Sequence, residues 1–198
     1  MPTMSQPHDN AIPTPTPTAT GVRVSATAAA PRQGDLALLD TPAAQRLLAS
    51  TIPARFAYVA LDGTPRVVPT WFHWTGEELV TVTYVDGPAI SHPAKRLAAL
   101  RHRPGAAVTI DTEGFPPESL SLRGQVEITE VDGLAPEYVA AAHRYLGPQA
   151  AAGMLSQVDA PGTVQARIAL RPTWVGLLDF AGRRPSAQGG IDQPETPE

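Results

Sequence analysis

Two threonines and two adjacent cations are the residues of this chain whose types and spacing could do chemistry. Thr81 and Thr83 lie at the end of an apolar run, and Lys95 and Arg96 begin a short basic segment that follows it. Hydroxyl groups and cations that meet at a strand end and a helix start can hold a phosphate. The sequence therefore predicts a phosphate-bearing ligand, while the catalytic residues stay unknown.

The composition excludes several classes of site and partner. A chain of 198 residues with 42% hydrophobic residues is long enough for one domain with a real core. It contains no cysteine, which excludes disulfides, thiolate nucleophiles and cysteine-ligated metals, and the histidines show no metal-ligand spacing. The net charge of −4 predicts no nucleic-acid partner. Without a long apolar run or a signal-type N-terminus, we expect no membrane span and a cytoplasmic location.

Both ends of the chain are biased in composition. Residues 1–34 are rich in Pro, Thr and Ala, and residues 182–198 are rich in Gly, Pro, Gln and Glu. Proline removes backbone donors and fixes φ, so we expect both ends to be disordered tails. The folded domain is predicted to span 35–181.

The pattern between the tails predicts a mainly β fold with a few short helices. Asp62 and Gly63 form a hairpin turn signal between two apolar runs, so we expect the first three strands to form an antiparallel meander. Pro69 cannot donate to a ladder and should lie at a sheet edge or a bulge. Gly124 predicts a bulge or a close backbone approach. The predicted strands are 56–61, 66–74, 79–84, 106–111, 120–131, 163–170 and 174–180, the last being separate or a continuation.

Three helices are expected between and before these strands. Thr41 as N-cap and Pro42 at the first position predict a helix that ends near Ser50. A second helix should lie between Pro93 and Pro104, and a third should run over 136–146 and end at Gly147.

Four stretches in this order resemble the pyridoxamine 5′-phosphate oxidase-like, FMN-binding split-barrel superfamily, and more narrowly its flavin- or deazaflavin-dependent oxidoreductase branch. Residues 57–71 follow the pattern A-x-V-x-x-D-G-x-P-x-V-V-P-x-W, and residues 100–111 follow L-R-x-x-P-x-x-x-V-T-I-D. Residues 80–83 resemble the third strand, and 167–180 resemble the closing strand. The resemblance implies a six-stranded antiparallel split barrel that dimerises, with FMN or the deazaflavin coenzyme F-420 at the dimer interface.

The resemblance also implies a set of cofactor-binding residues. The second strand would line the cofactor ring, and the hydroxyls and cations would hold its phosphate. The usual lysine of the family falls on Arg96 and Lys95 lies one residue earlier, so both remain candidates. No metal ligand is implied. The implied cofactor-binding residues are Arg66, Val67, Val68, Pro69, Thr70, Thr81, Thr83, Lys95 and Arg96.

Two functions fit this site. The first is an oxidoreductase that transfers a hydride to or from a small organic substrate, in which the cofactor carries the chemistry and the protein needs no strong acid or base. The second is a non-catalytic module that binds a flavin, haem or another tetrapyrrole in the same barrel. A basic cluster that could hold a long anionic tail slightly favours the deazaflavin over FMN. This cluster consists of Lys95, Arg96, Arg101 and Arg103.

Overall fold

The computed structural model describes residues 31–88 and 90–180 of the chain. Residues 1–30 of the first predicted tail and all of the second, 182–198, therefore lie outside the described residues. No helix in the described part is long and apolar enough to cross a membrane. The elements are a 3-10 helix Leu36–Asp40, α1 Pro42–Ala49, β1 Ala54–Val59, β2 Pro65–Thr70, β3 His73–Trp74, β4 Leu79–Asp86, α2 Lys95–His102, β5 Gly105–Asp111, β6 Glu118–Asp132, α3 Pro136–Leu146, α4 Pro148–Val158 and β7 Val164–Asp179.

One antiparallel sheet contains all of these strands, in the order β2-β1-β5-β6-β7-β4-β3. Its centre is the pairing of β6 with β7, which runs from one end of both long strands to the other. The two last predicted strands are thus one strand, and the fold is mainly β as expected. The strand number is seven rather than six, because a short strand is split off from the second predicted one.

The predicted hairpin with its turn at Asp62 and Gly63 is confirmed, but the predicted three-strand meander is wrong in its middle strand. The run predicted as one strand over 66–74 breaks at Trp71 and Phe72, so that β2 pairs with β1 while β3 pairs with β4. Phe72 is completely buried, and the chain leaves the sheet where this ring enters the core. The break places β2 at one edge of the sheet and β3 at the other.

The two edge regions meet because the sheet curls. The Thr70 hydroxyl, at the end of β2, lies 2.6 Å from the Thr81 hydroxyl in β4. Thr70 also donates to the Trp71 carbonyl oxygen at 3.1 Å. Pro69 lies in the edge strand β2, as predicted. We call the line where β2 meets β4 the seam.

Helix α1 begins and ends where the sequence predicted. The Thr41 hydroxyl caps it by accepting from the Ala44 backbone N–H, and Pro42 occupies its first turn. Leu47 and Leu48 are both buried. The core below them is formed by alternate residues of the strands, including Phe56, Val108, Ile110, Leu120, Leu122, Ile168 and Leu170.

Strand β4 pairs with β7 only as far as Leu170, and the side of β7 left open beyond it is covered by two residues of the predicted tail. The Gln33 side-chain amide donates to the Leu177 carbonyl oxygen at 2.5 Å and accepts from the Leu177 N–H at 2.9 Å. The Gly34 N–H donates to the Val175 carbonyl oxygen at 2.8 Å. Residues 33 and 34 therefore act as a short substitute for a neighbouring strand.

The prediction for Gly124 is confirmed on both counts. The register of β6 against β7 shifts between Arg123 and Gly124, which is a bulge. A Cβ atom at Gly124 would lie 2.1 Å from the Arg171 carbonyl oxygen, so only glycine fits without a backbone shift.

We predict that Gly124→Ala lowers the free energy of unfolding by about 2–3 kcal/mol, because the added methyl overlaps a backbone oxygen in a sheet that cannot easily move. Urea denaturation would measure the change. Gly153→Ala is the matched control: nothing lies within 4 Å of its added methyl, and alanine in helix α4 should add about 0.5–1 kcal/mol. Equal midpoints for the two variants would contradict the prediction.

Candidate functional site

A cavity of about 440 Å³ opens at the seam. Its walls come from the end of β2, from one face of β4, from one arginine of α2 and from the first turns of α3. We call it the seam cavity. The residues that line it are Pro53, Pro69, Thr70, Trp71, Val80, Val82, Arg96, Glu137, Tyr138 and Ala141.

Arg96 lines the seam cavity, and its side chain makes no hydrogen bond within the described residues. Its Nε atom is buried and has no hydrogen-bond partner among the described residues. Burial lowers the pKa of Arg96, and the nearby Tyr58 phenol offsets part of this effect. Arginine nevertheless keeps its proton in proteins. Burying a cation without a partner is costly to the fold, and an anionic oxygen that bound the guanidinium from the cavity would offset that cost.

Helix α3 contributes a neutral hydroxyl to the opposite wall. The Tyr84 and Tyr138 hydroxyls share a hydrogen bond of 3.2 Å, and the two rings meet edge to face. Burial, together with this contact, raises the pKa of Tyr138. The phenol therefore stays protonated over the whole physiological range.

Glu137 places a carboxylate in the same cavity, and this carboxylate is paired. Arg167 donates from Nε to Glu137 at 2.6 Å and from Nη2 to Glu78 at 2.8 Å. The hydrogen bond from Arg167 lowers the pKa of Glu78. These ion pairs tie α3 to the strands beneath it and hold the cavity wall in place.

Trp71 supplies an aromatic face. Its ring is stacked on Tyr145 at a centroid distance of 5.0 Å and an angle of 7° between the planes. The Tyr145 hydroxyl donates to the Ile52 carbonyl oxygen at 3.1 Å, which fixes the stack against the chain before β1. With Val80 and Val82, this face makes one side of the cavity apolar.

A second cavity, of about 490 Å³, lies between the β1–β2 turn and helix α2. We call it the hairpin cavity. Lys95 is exposed there, whereas Arg66 is paired with Asp62 at 2.9 Å. Hydrogen bonds from Thr64 lower the pKa of Asp62, so this carboxylate remains charged and neutralises Arg66. Its lining residues are Tyr58, Ala60, Leu61, Asp62, Arg66, Lys95, Ala98 and Ala99.

The structure separates the predicted cofactor-binding residues into groups. Pro69, Thr70 and Arg96 line the seam cavity, and Arg66 and Lys95 line the hairpin cavity.

The remaining predicted residues line neither of these two cavities. Val67 is 63% exposed, and Val68 packs against the core. Thr81 is only 3% exposed and is bonded to Thr70. Because strand residues alternate between faces, Thr83 shares the Thr81 face of β4, and Val80 and Val82 share the other. Thr81 reaches the seam cavity only through Thr70.

Sequence reasoning did not single out Glu137 or Tyr138. Both lie directly after Pro136, which marks the start of α3, but this signal does not show which strands the helix covers. Among the described residues, no group of three or more histidine, aspartate or glutamate side chains could hold a metal ion.

Comparison with solved structures identifies the fold. An F420 reductase is 26% identical with a TM-score of 0.50, and the match covers 67% of this chain and 94% of that protein. A conserved hypothetical protein from Mycobacterium tuberculosis is 17% identical with a TM-score of 0.51, covering 67% and 80%. The fold is consistent with the pyridoxamine 5′-phosphate oxidase-like split-barrel superfamily that the sequence resembles. No protein-family model matches the sequence, and no curated protein matches it.

We predict that the hydroxyl pair at the seam stabilises the split barrel. Thr81→Val keeps the side-chain shape but removes the bond to Thr70, and it should lower the free energy of unfolding by about 1–2 kcal/mol. A double-mutant cycle with Thr70→Val, followed by urea denaturation, should show a coupling of about 1 kcal/mol.

Thr83→Val is the control for this cycle, because Thr83 lies on the same face of the same strand and no hydrogen bond joins its hydroxyl to another described residue. Its effect should stay within about 0.5 kcal/mol. Additive effects of the Thr70 and Thr81 substitutions would show that the contact does not hold the seam.

Proposed function

We propose that this split-barrel protein is an oxidoreductase that binds a flavin or deazaflavin cofactor and transfers a hydride between it and a small organic substrate. The observation that carries the proposal is the guanidinium-bearing side chain of Arg96, which lines the seam cavity and has no hydrogen-bond partner among the described residues. The likeness to an F420 reductase supports the same class of chemistry.

The residues around Arg96 fit the phosphate of such a cofactor. Helix α2 begins at Lys95, one residue before Arg96, and no side chain caps its N-terminus. Backbone N–H groups in the first turn of a helix favour anions. Arg96 adds a guanidinium whose planar donors match phosphate oxygens.

The rest of the seam cavity fits a planar ring. The Trp71 and Tyr145 stack and the two valines of β4 form an apolar wall, and flat heteroaromatic rings pack well on such surfaces. The carboxylate of Glu137 is paired with Arg167 at 2.6 Å, so its repulsion of an anionic ligand is reduced. The cofactor supplies the hydride chemistry, and the protein orients it.

Lys95 suggests which cofactor is preferred. Successive residues of a helix point about 100° apart, and accordingly Arg96 lines the seam cavity while Lys95 lines the hairpin cavity. A ligand that extends past α2 could use both cations. FMN ends at its phosphate, whereas the deazaflavin coenzyme F-420 continues into an anionic glutamate tail, so we propose the deazaflavin as the preferred cofactor.

Titration of the protein with FMN and with the deazaflavin, followed by absorbance, tests both parts of the proposal. Arg96→Ala should weaken either cofactor at least tenfold, because a charge-assisted bond to phosphate contributes about 1.5–3 kcal/mol. Lys95→Ala should weaken only the deazaflavin.

Arg101→Ala is the matched control. The sequence placed this arginine in the basic cluster, but in the structure it is paired with Glu130 and lines neither cavity. Its affinities should equal those of the wild type. Unchanged affinity in Arg96→Ala would refute the seam cavity as the phosphate site. Tight binding without reduction of quinones, enones or nitro compounds would indicate a binding module rather than an enzyme.

A homodimer is the second part of the proposal. Val59, Leu61 and Val67 are exposed apolar residues on β1, on the turn after it and on β2. Apolar side chains grouped in this way are typical of a protein interface. The superfamily resemblance implies that the cofactor lies between two subunits, and β2 lies beside the seam cavity.

We predict a mass of about 42 kDa in solution at micromolar concentration, which is twice the chain mass of 20.9 kDa. Size-exclusion chromatography with light scattering would measure it. Val67→Asp should produce the monomer, because it buries an unpaired charge in the interface. Leu146→Asp is the control, as it changes an exposed apolar residue at the end of α3. A monomeric wild type would exclude the dimer.

A further inference from the structure

Glu137 is a carboxylate of the seam cavity whose hydrogen-bonding capacity is not filled by the described protein. It lies in the first turn of α3 and lines the cavity. Its Oε1 accepts from the Arg167 Nε at 2.6 Å, and no other hydrogen bond joins its side chain to residues 31–88 or 90–180. A carboxylate accepts up to about four hydrogen bonds, so Glu137 can still accept from a donor in the cavity.

The ion pairs around Glu137 leave an excess of negative charge. Arg167 pairs with both Glu137 and Glu78, whose side chains are similarly covered, with exposed fractions of 16% and 17%. Arg171 pairs with Glu78 and with Glu77. Three carboxylates therefore share two guanidinium groups, and Glu137 is the carboxylate among them that lines the seam cavity.

The seam cavity thus presents two opposite charges that do not neutralise each other. No ion pair joins Arg96 to Glu137 or to another carboxylate in the described part of the chain, and both side chains line the cavity. Arg96 favours an anionic oxygen, whereas Glu137 repels an anion and favours an N–H donor. A ligand that fits must carry both kinds of group.

The proposed cofactors carry these two groups on one molecule. FMN and the deazaflavin each have a phosphate on a side chain, and their ring systems share an imide, in which one N–H lies between two carbonyl groups. An N–H donor and a charged carboxylate form a stronger hydrogen bond than two neutral groups do.

We propose that Glu137 accepts a hydrogen bond from the imide N–H of the cofactor ring and thereby orients the ring in the seam cavity. This inference rests on the proposed function, because it names a contact with that cofactor. The phosphate binds at Arg96, and the imide edge of the ring faces the start of α3. Glu137 is a positioning residue, since the imide N–H keeps its proton throughout.

The test is a calorimetric titration of the wild type and of Glu137→Ala with FMN and with 3-methyl-FMN, in which a methyl group replaces the imide hydrogen. The wild type should bind FMN at least about tenfold more tightly than the methyl derivative, which cannot donate to Glu137. In Glu137→Ala the affinities for the two ligands should lie within about threefold of each other.

The comparison of two ligands separates a direct contact from a disturbed fold. Loss of the pair with Arg167 would weaken both ligands alike, but it would not remove the difference between them. Glu78→Ala is the matched control, because it removes the other carboxylate bonded to Arg167 at 2.8 Å and Glu78 does not line the seam cavity. It should keep the wild-type preference for FMN. Glu137→Gln, which retains an acceptor oxygen, should keep more of this preference than Glu137→Ala.

The outcomes distinguish this inference from the proposed function. Equal binding of the two ligands by the wild type would overturn the role of Glu137 while the cofactor still binds. A preference that persists in Glu137→Ala, or that is lost equally in Glu78→Ala, would overturn it as well. If the wild type binds only the deazaflavin, that coenzyme and its derivative methylated on the imide nitrogen are titrated under the same criteria. A wild type that binds neither FMN nor the deazaflavin would refute the proposed function itself.

Discussion

A curled sheet must be closed where its edge strands meet, and in this protein that closure depends on side chains instead of a backbone ladder. The break after β2 sends Phe72 into the core and divides one predicted strand between the two sheet edges. At the seam, the hydroxyls of Thr70 and Thr81 make the polar contact. The space beside this contact becomes the seam cavity, and α2 and α3 complete its walls. The site is therefore a direct result of how the barrel closes.

The partly buried arginines show how structural and binding roles differ. Arg167 is paired with two carboxylates. Arg144 donates to the carbonyl oxygens of Leu48 and Phe72, which connects α3 with the chain around the barrel end. Both guanidinium groups therefore have hydrogen-bond partners, although the Nε atom of Arg144 is itself buried without one. Arg96, by contrast, makes no hydrogen bond to any residue in the described part of the chain, and for this reason we propose that its partner is a ligand.

Much of the fold follows from local signals in the sequence. Thr41 and Pro42 predict the start of α1, and Gly124 predicts the bulge in β6. Both predictions are possible because helix capping and close backbone approach each require particular residue types. Helix α4 was missed: from residue 145 to 158 no residue is charged, so no polar face reveals its period. The elements without such local signals are determined by long-range packing.

The position of the site was only partly predictable for the same reason. The sequence identifies Lys95 and Arg96 as adjacent cations, but helix geometry directs them to different cavities. The face of β4 that meets the seam cavity carries Val80 and Val82. Thr81 and Thr83, which the sequence predicted as phosphate ligands, lie on the other face. Tyr138 enters the site because α3 packs across β4, which is a long-range contact that no local pattern encodes.

Gln33 gives the barrel a property that concerns its behaviour in concentrated solution. Its amide and the Gly34 N–H satisfy the backbone groups of Val175 and Leu177 on the outer edge of β7. Unpaired strand edges recruit strands from other molecules and so start aggregation. Gln33 and Gly34 therefore protect these backbone groups from pairing with other molecules. A shortened protein that begins after Gly34 would expose them and should aggregate more readily.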